Sequence, residues 1–373
     1  MKQSKSKSEY YSLDRILKTD SEYNVIIGSR SNGKTTSVLL YMLERYCNHG
    51  EEFAVIRRWA DDFKQQRGNT LFNAIERMGV IQKYTNNEWS NIVFQSMRFY
   101  FGRYQNGKLM LSEKPIGYCY AVSQVEHDKG SSVNVINILF DEFMTRSEYG
   151  YLSNEFVLFQ NTISTLIRER GDRDKIKIFM CGNTVTFFCP YFHEMGLTNI
   201  KKMKPGDIDV YTYGDSGLRV AVEYAEPFKG KSNSNKYFAF NNPRLKMITG
   251  ADGGSWEIDI YPHLLEKYKP NQIIFTYFII FDGMTLQCEV IKYKSGVITY
   301  IHRKTTDIRY PDKDIVFSIE PNNRRNWNTN IMKIHNPSLK QAFSKIFDTS
   351  KFFYQDNEVG EYMRNYLIWC KKN

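Results

Sequence analysis

The apolar positions in the first half of the chain form short runs that each end in polar or charged residues. Such runs occur at 24–27, 53–56, 116–122, 135–140 and 175–182. Short apolar runs bounded by turn signals predict buried strands. Between them, apolar residues recur at helical spacing in 37–46, 61–78 and 151–170, which predicts helices. This alternation of strands and helices predicts an α/β domain with a mostly parallel central sheet.

Two further patterns in this region predict hairpins. Segments 91–95 and 97–102 alternate between apolar and polar residues and lead to turn-forming residues at 105–107. They predict a hairpin that is inserted in the parallel sheet or flanks it. Segments 208–213 and 218–224 flank a Gly-containing turn and predict a second hairpin.

A polar, Gly/Ser-rich stretch that begins near residue 227 separates this region from the rest of the chain. Beyond it, three consecutive apolar segments predict a strand meander, at 273–281, 285–293 and 297–302. Segments 338–347 and 358–370 predict helices. We therefore expect a first domain, a linker and a smaller α+β domain, at 1–228, 229–254 and 255–373.

The first predicted strand leads directly into a phosphate-binding motif. Residues 28–35 match G-x-x-x-x-G-K-[ST] between a predicted strand and a predicted helix. Backbone N–H groups in such a loop bind phosphate oxygens together with the helix N-terminus. Lys34 can reach the β- and γ-phosphates, and the Thr35 hydroxyl can ligate Mg²⁺. We therefore predict that ATP and Mg²⁺ bind here, with nucleotide contacts from Gly28, Ser29, Arg30, Ser31, Asn32, Gly33, Lys34, Thr35 and Thr36.

A second motif follows the apolar run 135–140, which ends in Asp141 and Glu142 in the manner of a Walker B strand. Parallel strands deliver their carboxyl ends to the sheet edge where ligands bind. Asp141 is therefore predicted to hold Mg²⁺ through water, and Glu142 to polarise the attacking water. A catalytic Glu directly after the metal-binding Asp favours a hydrolytic, ASCE-type P-loop NTPase over a small-molecule kinase.

Asn183 ends the strand that follows in sequence. A strand beside the Walker B strand can present an amide to the γ-phosphate as a sensor. The alternative interpretation is an Asn that merely forms a turn.

Composition narrows the functional classes. The chain has 51 Lys and Arg residues against 41 Asp and Glu residues, a net charge of +10, and seven of these excess positive charges lie after residue 230. A basic C-terminal region indicates a polyanionic partner, although ordinary solubility charge explains it equally well. Six cysteines without a C-x-x-C pair and six scattered histidines disfavour a disulfide framework or a zinc site, and most of the cysteines are expected to be buried thiols.

We expect the protein to lie outside the secretory pathway. The basic, Ser-rich N-terminus has no apolar segment behind it, so it does not resemble a signal peptide. The apolar run 273–281 is about half the length of a membrane span. We expect no membrane partner and a location in the cytoplasm.

These motifs together resemble the DNA-packaging (encapsidation) ATPases of small podophages of the phi-twenty-nine type. The resemblance is carried by Gly28-x-Arg30-x-x-Gly33-Lys34, Arg57-Arg58, 140–143, 165–168, Asn183 with 190–192, and 353–357. It extends over nearly the whole chain, and the ATPase motifs are its most specific part. Large terminases and other ring translocases are more distant relatives.

The resemblance implies a homopentameric ring at the portal (connector) of a viral procapsid in the bacterial host cytoplasm. Such a ring hydrolyses ATP at its subunit interfaces and translocates double-stranded DNA into the procapsid. The family also docks on a structural prohead RNA, a partner that need not extend to every member. Catalysis is assigned by the same resemblance to Lys34, Asp141, Glu142, Arg168 and Asn183.

Several basic residues take their roles from the resemblance. Arg168 matches an arginine finger offered to the neighbouring subunit, with Arg170 as the alternative and a helix-end basic residue as the simpler interpretation. Lys129 roughly matches a second trans-acting basic residue. Arg146 is a candidate for the DNA channel, and a surface salt bridge explains it equally well.

The C-terminal domain is expected to have an RNase H-like fold that has lost its nuclease function. Two-metal cleavage needs several converging carboxylates, and the strand predicted at 273–281 has none. Asp282 lies in a predicted hairpin turn. Alternatives that remain open are a helicase, a cellular DNA pump, a nucleotide kinase, a large terminase with an active nuclease, and an adaptor that does not hydrolyse nucleotide.

Overall fold

A computed structural model of the chain forms two compact units, Met1–Glu257 and Ile258–Asn373. The described residues are 10–64, 66–124, 135–145, 150–152, 154–167, 176–227, 256, 259–293, 296–320 and 322–373. The predicted linker, 229–254, lies outside the described residues. The division between the units falls near the expected start of the second domain at residue 255.

The first unit is built on a single mixed sheet. Its strands are β1 (Tyr23–Gly28), β2 (Glu52–Arg57), β3 (Asn91–Gln95), β4 (Arg98–Gln105), β5 (Lys108–Leu111), β6 (Gly117–Ala121), β7 (Val135–Asp141), β8 (Lys177–Asn183), β9 (Ile208–Tyr213) and β10 (Leu218–Tyr224). They lie in the order β3-β4-β6-β2-β7-β8-β1-β10-β9, with β5 paired to β4. Strands β6, β2, β7, β8, β1 and β10 are mutually parallel, which confirms the predicted parallel centre. Both predicted hairpins are confirmed at the antiparallel ends of the sheet.

Apolar side chains cover both faces of the parallel strands, as is usual for a parallel sheet. In β1, Val25 and Ile27 belong to one apolar cluster and Ile26 to the other, and all three are fully buried. Strand register places Gly28 beside Asn183 and Asp141 beside Cys181. The ends of β1, β7 and β8 therefore meet at one edge of the sheet.

The helices of the first unit confirm most of the predicted ones. In the described ranges they are α1 (Asp14–Leu17), α2 (Lys34–His49), α3 (Gln66–Thr70), α4 (Asn73–Arg77), α5 (Val80–Tyr84), α6 (Glu155–Ile167) and α7 (Pro190–Glu194). The single helix predicted at 61–78 is wrong, because the chain there forms a 3₁₀ turn followed by α3 and α4. Phe63 and Phe72 are both buried. One continuous helix would place them on opposite faces, since nine residues correspond to two and a half turns.

The second unit contains a separate six-stranded sheet. Its elements are β11 (Ile273–Phe281), β12 (Met284–Tyr293), β13 (Gly296–Arg303), β14 (Ile315–Ser318), β15 (Trp327–Asn328), α8 (Pro337–Thr349), β16 (Lys351–Tyr354) and α9 (Asn357–Lys372). The strand order is β15-β14-β11-β12-β13-β16. An antiparallel meander, β11 to β13, with β14 parallel to β11 is the arrangement of the expected RNase H-like fold. The meander and both predicted helices are confirmed.

Side-chain caps and aromatic packing fix the helices of this unit. Asn336 accepts a hydrogen bond from the Leu339 N–H at 3.1 Å and starts α8, and Asp356 does the same for Val359 at 2.9 Å at the start of α9. The Phe343 ring on α8 packs edge-to-face on Tyr277 at 4.9 Å. These contacts hold α8 against the centre of the sheet.

The cysteine side chains lie mostly in the protein interior. All six cysteines are free thiols, and all except the half-buried Cys47 are buried, as expected. Among the helices in the described ranges, none is long and apolar enough to cross a bilayer.

A buried ion pair joins Arg58, the residue directly after β2, to Glu155 at the start of α6. The Arg58 Nε donates to both oxygens of Glu155, at 3.0 and 2.8 Å, and both residues are buried. Glu155 also accepts hydrogen bonds from the Tyr191 hydroxyl at 2.9 Å and the Leu152 N–H at 2.7 Å. One carboxylate therefore connects β2, α6 and α7.

We expect Glu155→Ala to lower the free energy of unfolding of the first unit by about 3–5 kcal/mol. The substitution leaves the Arg58 guanidinium buried without its counter-charge, which is the costly way to break a buried pair. Chemical denaturation of the parent and the variant measures the difference.

The matched control is Glu44→Ala, which removes a carboxylate from the exposed side of α2. A substitution at such a site changes stability by no more than about 0.5 kcal/mol. Equal stabilities for the Glu155→Ala and Glu44→Ala variants would contradict the role assigned to the buried pair.

Candidate active site

The turn between β1 and α2 contains the residues of the predicted phosphate-binding loop. Ser31 and Gly33 have positive φ angles of 59° and 93°, so the chain turns sharply before α2 begins at Lys34. Glycine at position 33 suits both the backbone and the packing, because a Cβ there would lie 3.3 Å from the Cβ of Tyr10. The N-terminus of the 16-residue α2 is thereby directed at the sheet edge.

Lys34 is held inside this loop. Its side chain is buried, and Nζ donates to the carbonyl oxygens of Gly28 at 3.2 Å and Ser29 at 2.7 Å and to Oδ1 of Asn32 at 3.1 Å. Burial lowers the pKa of Lys34 to about 8. The ammonium group is therefore positioned by neutral oxygens at the place where a phosphate chain would pass.

Asp141, at the end of β7, connects the loop to the neighbouring strand. Its Oδ1 accepts a hydrogen bond from the Thr35 hydroxyl at 2.8 Å, and its Oδ2 forms an ion pair with the Arg57 guanidinium at 2.6 Å. Asp141 is 3% exposed. A hydroxyl and a carboxylate side by side are the oxygen ligands that Mg²⁺ prefers in phosphate-binding loops. Thr35 and Asp141 thus fit the predicted metal site.

Glu142 follows in a left-handed backbone conformation, with φ of 57°. Its side chain is exposed toward the cavity that the phosphate-binding loop lines. Hydrogen bonds fix the backbone at Glu142 and Phe143. Arg58 donates to the carbonyl oxygens of Glu142 at 3.5 Å and Phe143 at 2.6 Å, and the Phe143 N–H donates to the carbonyl oxygen of Cys181 at 3.3 Å. A non-glycine residue in this conformation, supported from both sides, is typical of a functional site.

Asn183 ends β8 at the same edge. Its Oδ1 accepts a hydrogen bond from Lys34 Nζ at 3.3 Å. Strand β8 pairs with both β7 and β1, so this amide lies between the two motif strands. The position agrees with the strand arrangement on which the sensor prediction was based.

These groups line one cavity of about 420 Å³. The lining residues are Ser31, Asn32, Gly33, Lys34, Thr35, Thr36, Arg57, Arg67, Thr70, Leu71, Asp141, Glu142, Cys181, Gly182 and Asn183. Of the other predicted loop residues, Ser29 contributes its carbonyl to Lys34, Gly28 is buried at the end of β1, and Arg30 is exposed. Lys129, Arg146, Arg168 and Arg170 lie outside the described residues.

Sequence reasoning missed several members of this site. Arg57 was noted as part of the family resemblance and received no role, although its position at the end of a buried strand is the signal that would have found it. Arg58 and Glu155 support the Walker B turn from behind. Arg67 and Thr70 on α3, and Leu71 directly after it, come from the segment for which a single long helix was predicted.

Within the described part of the chain, no group of three or more His, Cys, Asp or Glu side chains could hold a metal ion. A site built from one carboxylate and one hydroxyl, such as Asp141 with Thr35, falls outside that pattern.

The comparisons with known proteins agree with the motifs. Residues 5–211 match the model of the Podovirus DNA encapsidation protein (Gp16) family. The DNA packaging protein of Bacillus phage phi29 is 28% identical over 289 residues, and that of Bacillus phage PZA is 24% identical over 287 residues. Each alignment covers 75% of this chain and 75% of the relative.

Solved structures show the same fold over nearly the full length. The phi-28 gp11 DNA packaging motor has a TM-score of 0.51 at 18% identity and covers 98% of both chains. The phi-29 viral genome packaging motor assembly has a TM-score of 0.53 at 20% identity and covers 96% of this chain and 100% of that one. Since the family model spans more than half of the sequence, the chain belongs to the Podovirus DNA encapsidation protein (Gp16) family.

Proposed function

We propose that this protein is an ATP hydrolase that drives double-stranded viral DNA into a procapsid. The observation that supports hydrolysis is the convergence of Lys34, the Thr35–Asp141 pair, Glu142 and Asn183 on one cavity. Each group has a different role in phosphoryl transfer. Family membership supports the DNA-packaging role.

Residues of this chain bind the phosphate chain of the nucleotide and accept a proton from the attacking water. The N–H groups of residues 31–35 and the N-terminus of α2 bind the phosphate chain, and Lys34 neutralises part of its charge. Thr35, and Asp141 through water, would hold Mg²⁺, which would supply further charge neutralisation on the phosphates. Glu142 accepts the proton of the attacking water. Asn183 orients the γ-phosphate through its amide.

Arg57 gives the site a second cation next to the metal ligands. It is paired with Asp141 at 2.6 Å and lines the same cavity. A guanidinium beside the proposed metal ligands favours an anionic ligand in the cavity.

The proposed assembly and partners rest on membership of the family. The curated relatives are named DNA packaging proteins, and the matched structures are packaging motors. We infer a homopentameric ring at the viral portal in the host cytoplasm, with an RNA partner in those systems that carry one. The basic excess after residue 230 supports contacts to the DNA backbone, which carry little sequence information.

The trans-acting residues are proposed on the same basis. Arg168 is the proposed finger for the adjacent active site, Arg170 is the alternative, and Lys129 is a second candidate. Arg146 is the proposed DNA contact. A finger in trans links hydrolysis to subunit assembly, because it stabilises the transition state only when the next subunit is in place.

We expect Glu142→Gln to lower kcat for ATP hydrolysis by about 100-fold or more while nucleotide binding is retained. The amide keeps the shape of the side chain and cannot accept the proton. Steady-state hydrolysis and equilibrium binding of a non-hydrolysable ATP analogue measure the two effects. Lys34→Ala, in contrast, should weaken nucleotide binding itself.

Glu44→Gln is the control, because Glu44 is an exposed carboxylate on α2 and lies away from the cavity. Its kcat should equal that of the parent. If Glu142→Gln also hydrolysed ATP at the parental rate, Glu142 would not be the general base, and an adaptor role would be favoured.

We expect Arg168→Ala to abolish cooperative hydrolysis and to leave nucleotide binding intact. An arginine finger contributes about 10³–10⁵ in rate. Mixing Arg168→Ala protein with Glu142→Gln protein should restore part of the turnover, because the mixed ring contains interfaces with an intact finger and an intact base. The same mixture made with Arg170→Ala tests the alternative finger. Absence of rescue by Arg168→Ala at every mixing ratio would argue against a trans role for that residue.

We expect double-stranded DNA to stimulate ATP hydrolysis without separation of a forked duplex and without cutting of plasmid DNA. Strand β11 carries no carboxylate, so the carboxylate that two-metal cleavage needs on this strand is missing. Parallel assays of hydrolysis, unwinding and plasmid cleavage with Mg²⁺ or Mn²⁺ test these points. Unwinding would indicate a helicase, and metal-dependent cutting would indicate an active terminase nuclease.

A further inference from the structure

We propose that Arg67, on α3, binds the phosphate chain of the nucleotide as an additional cationic contact in the cavity. This inference rests on the proposed function, because it names a further ligand contact in the same site. Arg67 belongs to neither nucleotide motif, and its segment was predicted as part of a longer helix.

The position of α3 is fixed by its packing on β3. Gly68 lies so close to the ring of Phe94 that a Cβ would come within 2.2 Å of Phe94 Cδ1. The next residue, Asn69, accepts a hydrogen bond from the Phe94 N–H at 2.8 Å. Two adjacent residues of α3 therefore attach this short helix to the sheet.

The residues that face the cavity lie on the other side of α3. Arg67 and Thr70, three residues apart, lie on one face of α3 and line the cavity, and Leu71, which directly follows the helix, lines it as well. The Thr70 hydroxyl donates to the Arg67 carbonyl at 2.9 Å. The attachment through Gly68 and Asn69 thus holds this face against the nucleotide site.

The Arg67 side chain is weakly held within the described part of the chain. One nitrogen, Nη1, makes both of its contacts, to the Asp61 carbonyl at 3.4 Å and to the Asp62 carboxylate at 3.9 Å. The side chain is 68% exposed. A guanidinium has five N–H donors in a planar fork that matches phosphate oxygens. The geometry leaves donors of Arg67 available to a ligand in the cavity.

The other cations of the cavity are already bonded to protein oxygens. Lys34 donates to the loop and to Asn183, and Arg57 is paired with Asp141. A triphosphate is a polyanion whose oxygens extend beyond the reach of one lysine. A charge-assisted contact from Arg67 would therefore add affinity that the two motifs do not supply.

The experiment compares Arg67→Ala and Arg67→Lys with Arg77→Ala as the matched control. Arg77 is also an exposed helix arginine whose side chain donates to a backbone carbonyl, that of Asn73 at 3.2 Å, and it does not line the cavity. Calorimetric titration with a non-hydrolysable ATP analogue and Mg²⁺ gives the dissociation constants. Thermal melting shows that each variant is folded.

Arg67→Ala should raise the dissociation constant about tenfold, as expected for loss of an exposed charge-assisted contact. Arg67→Lys should restore part of the affinity, and Arg77→Ala should bind like the parent. Equal dissociation constants for Arg67→Ala and Arg77→Ala would overturn the inference. A loss that Arg67→Lys does not partly restore would overturn it as well.

Lys34→Ala in the same titration separates this inference from the proposed function. If Lys34→Ala loses binding and Arg67→Ala does not, the nucleotide site stands and the role of Arg67 is wrong. If Lys34→Ala binds the analogue like the parent, the proposed nucleotide site is wrong, whatever Arg67 does.

Discussion

The carboxylate of Asp141 is the group on which three separate parts of the chain meet. One oxygen accepts the hydroxyl of Thr35 at the start of α2, and the other pairs with Arg57 at the end of β2. A carboxylate that is 3% exposed is tolerated in a protein interior when it is paired and hydrogen-bonded. Because β7 lies between β2 and β8, the strand order itself brings these partners together. The geometry of the site is therefore a property of the sheet, and the loops complete it.

This dependence on the sheet explains which site residues could be predicted from sequence. Lys34, Asp141 and Asn183 each follow or end an apolar run, and parallel pairing brings such ends to one edge. Arg67 reaches the cavity because the segment after β2 breaks into short helices. That break follows from the need to bury Phe63 and Phe72 together, and from the contact of Gly68 with Phe94. Such contacts between distant segments leave no periodicity in the sequence.

The second unit shows the same limit on prediction. Strands β11 to β13 are long and consecutive, and the turn at Asp282 and Gly283 has the positive φ angles that an Asp-Gly hairpin favours. These properties allowed strands β11 to β13 to be predicted from the sequence. Strands β14 and β16 were missed because each has four residues and pairs in parallel with a strand distant in sequence. Their placement depends on tertiary packing, which overrides local propensity.

The Arg58–Glu155 pair is best explained by the backbone groups that it holds in place. A buried ion pair seldom stabilises a protein more than apolar side chains of the same size do. Glu142 adopts a left-handed conformation that costs about 1–3 kcal/mol for a non-glycine residue. Arg58 donates to the carbonyl oxygens of Glu142 and Phe143, and Glu155 fixes Arg58 in turn. The hydrogen bonds of Arg58 and Glu155 thus offset the cost of the strained backbone at Glu142. Since Arg58 directly follows β2 and Glu142 directly follows β7, the proposed base is held by the same strands that position Asp141.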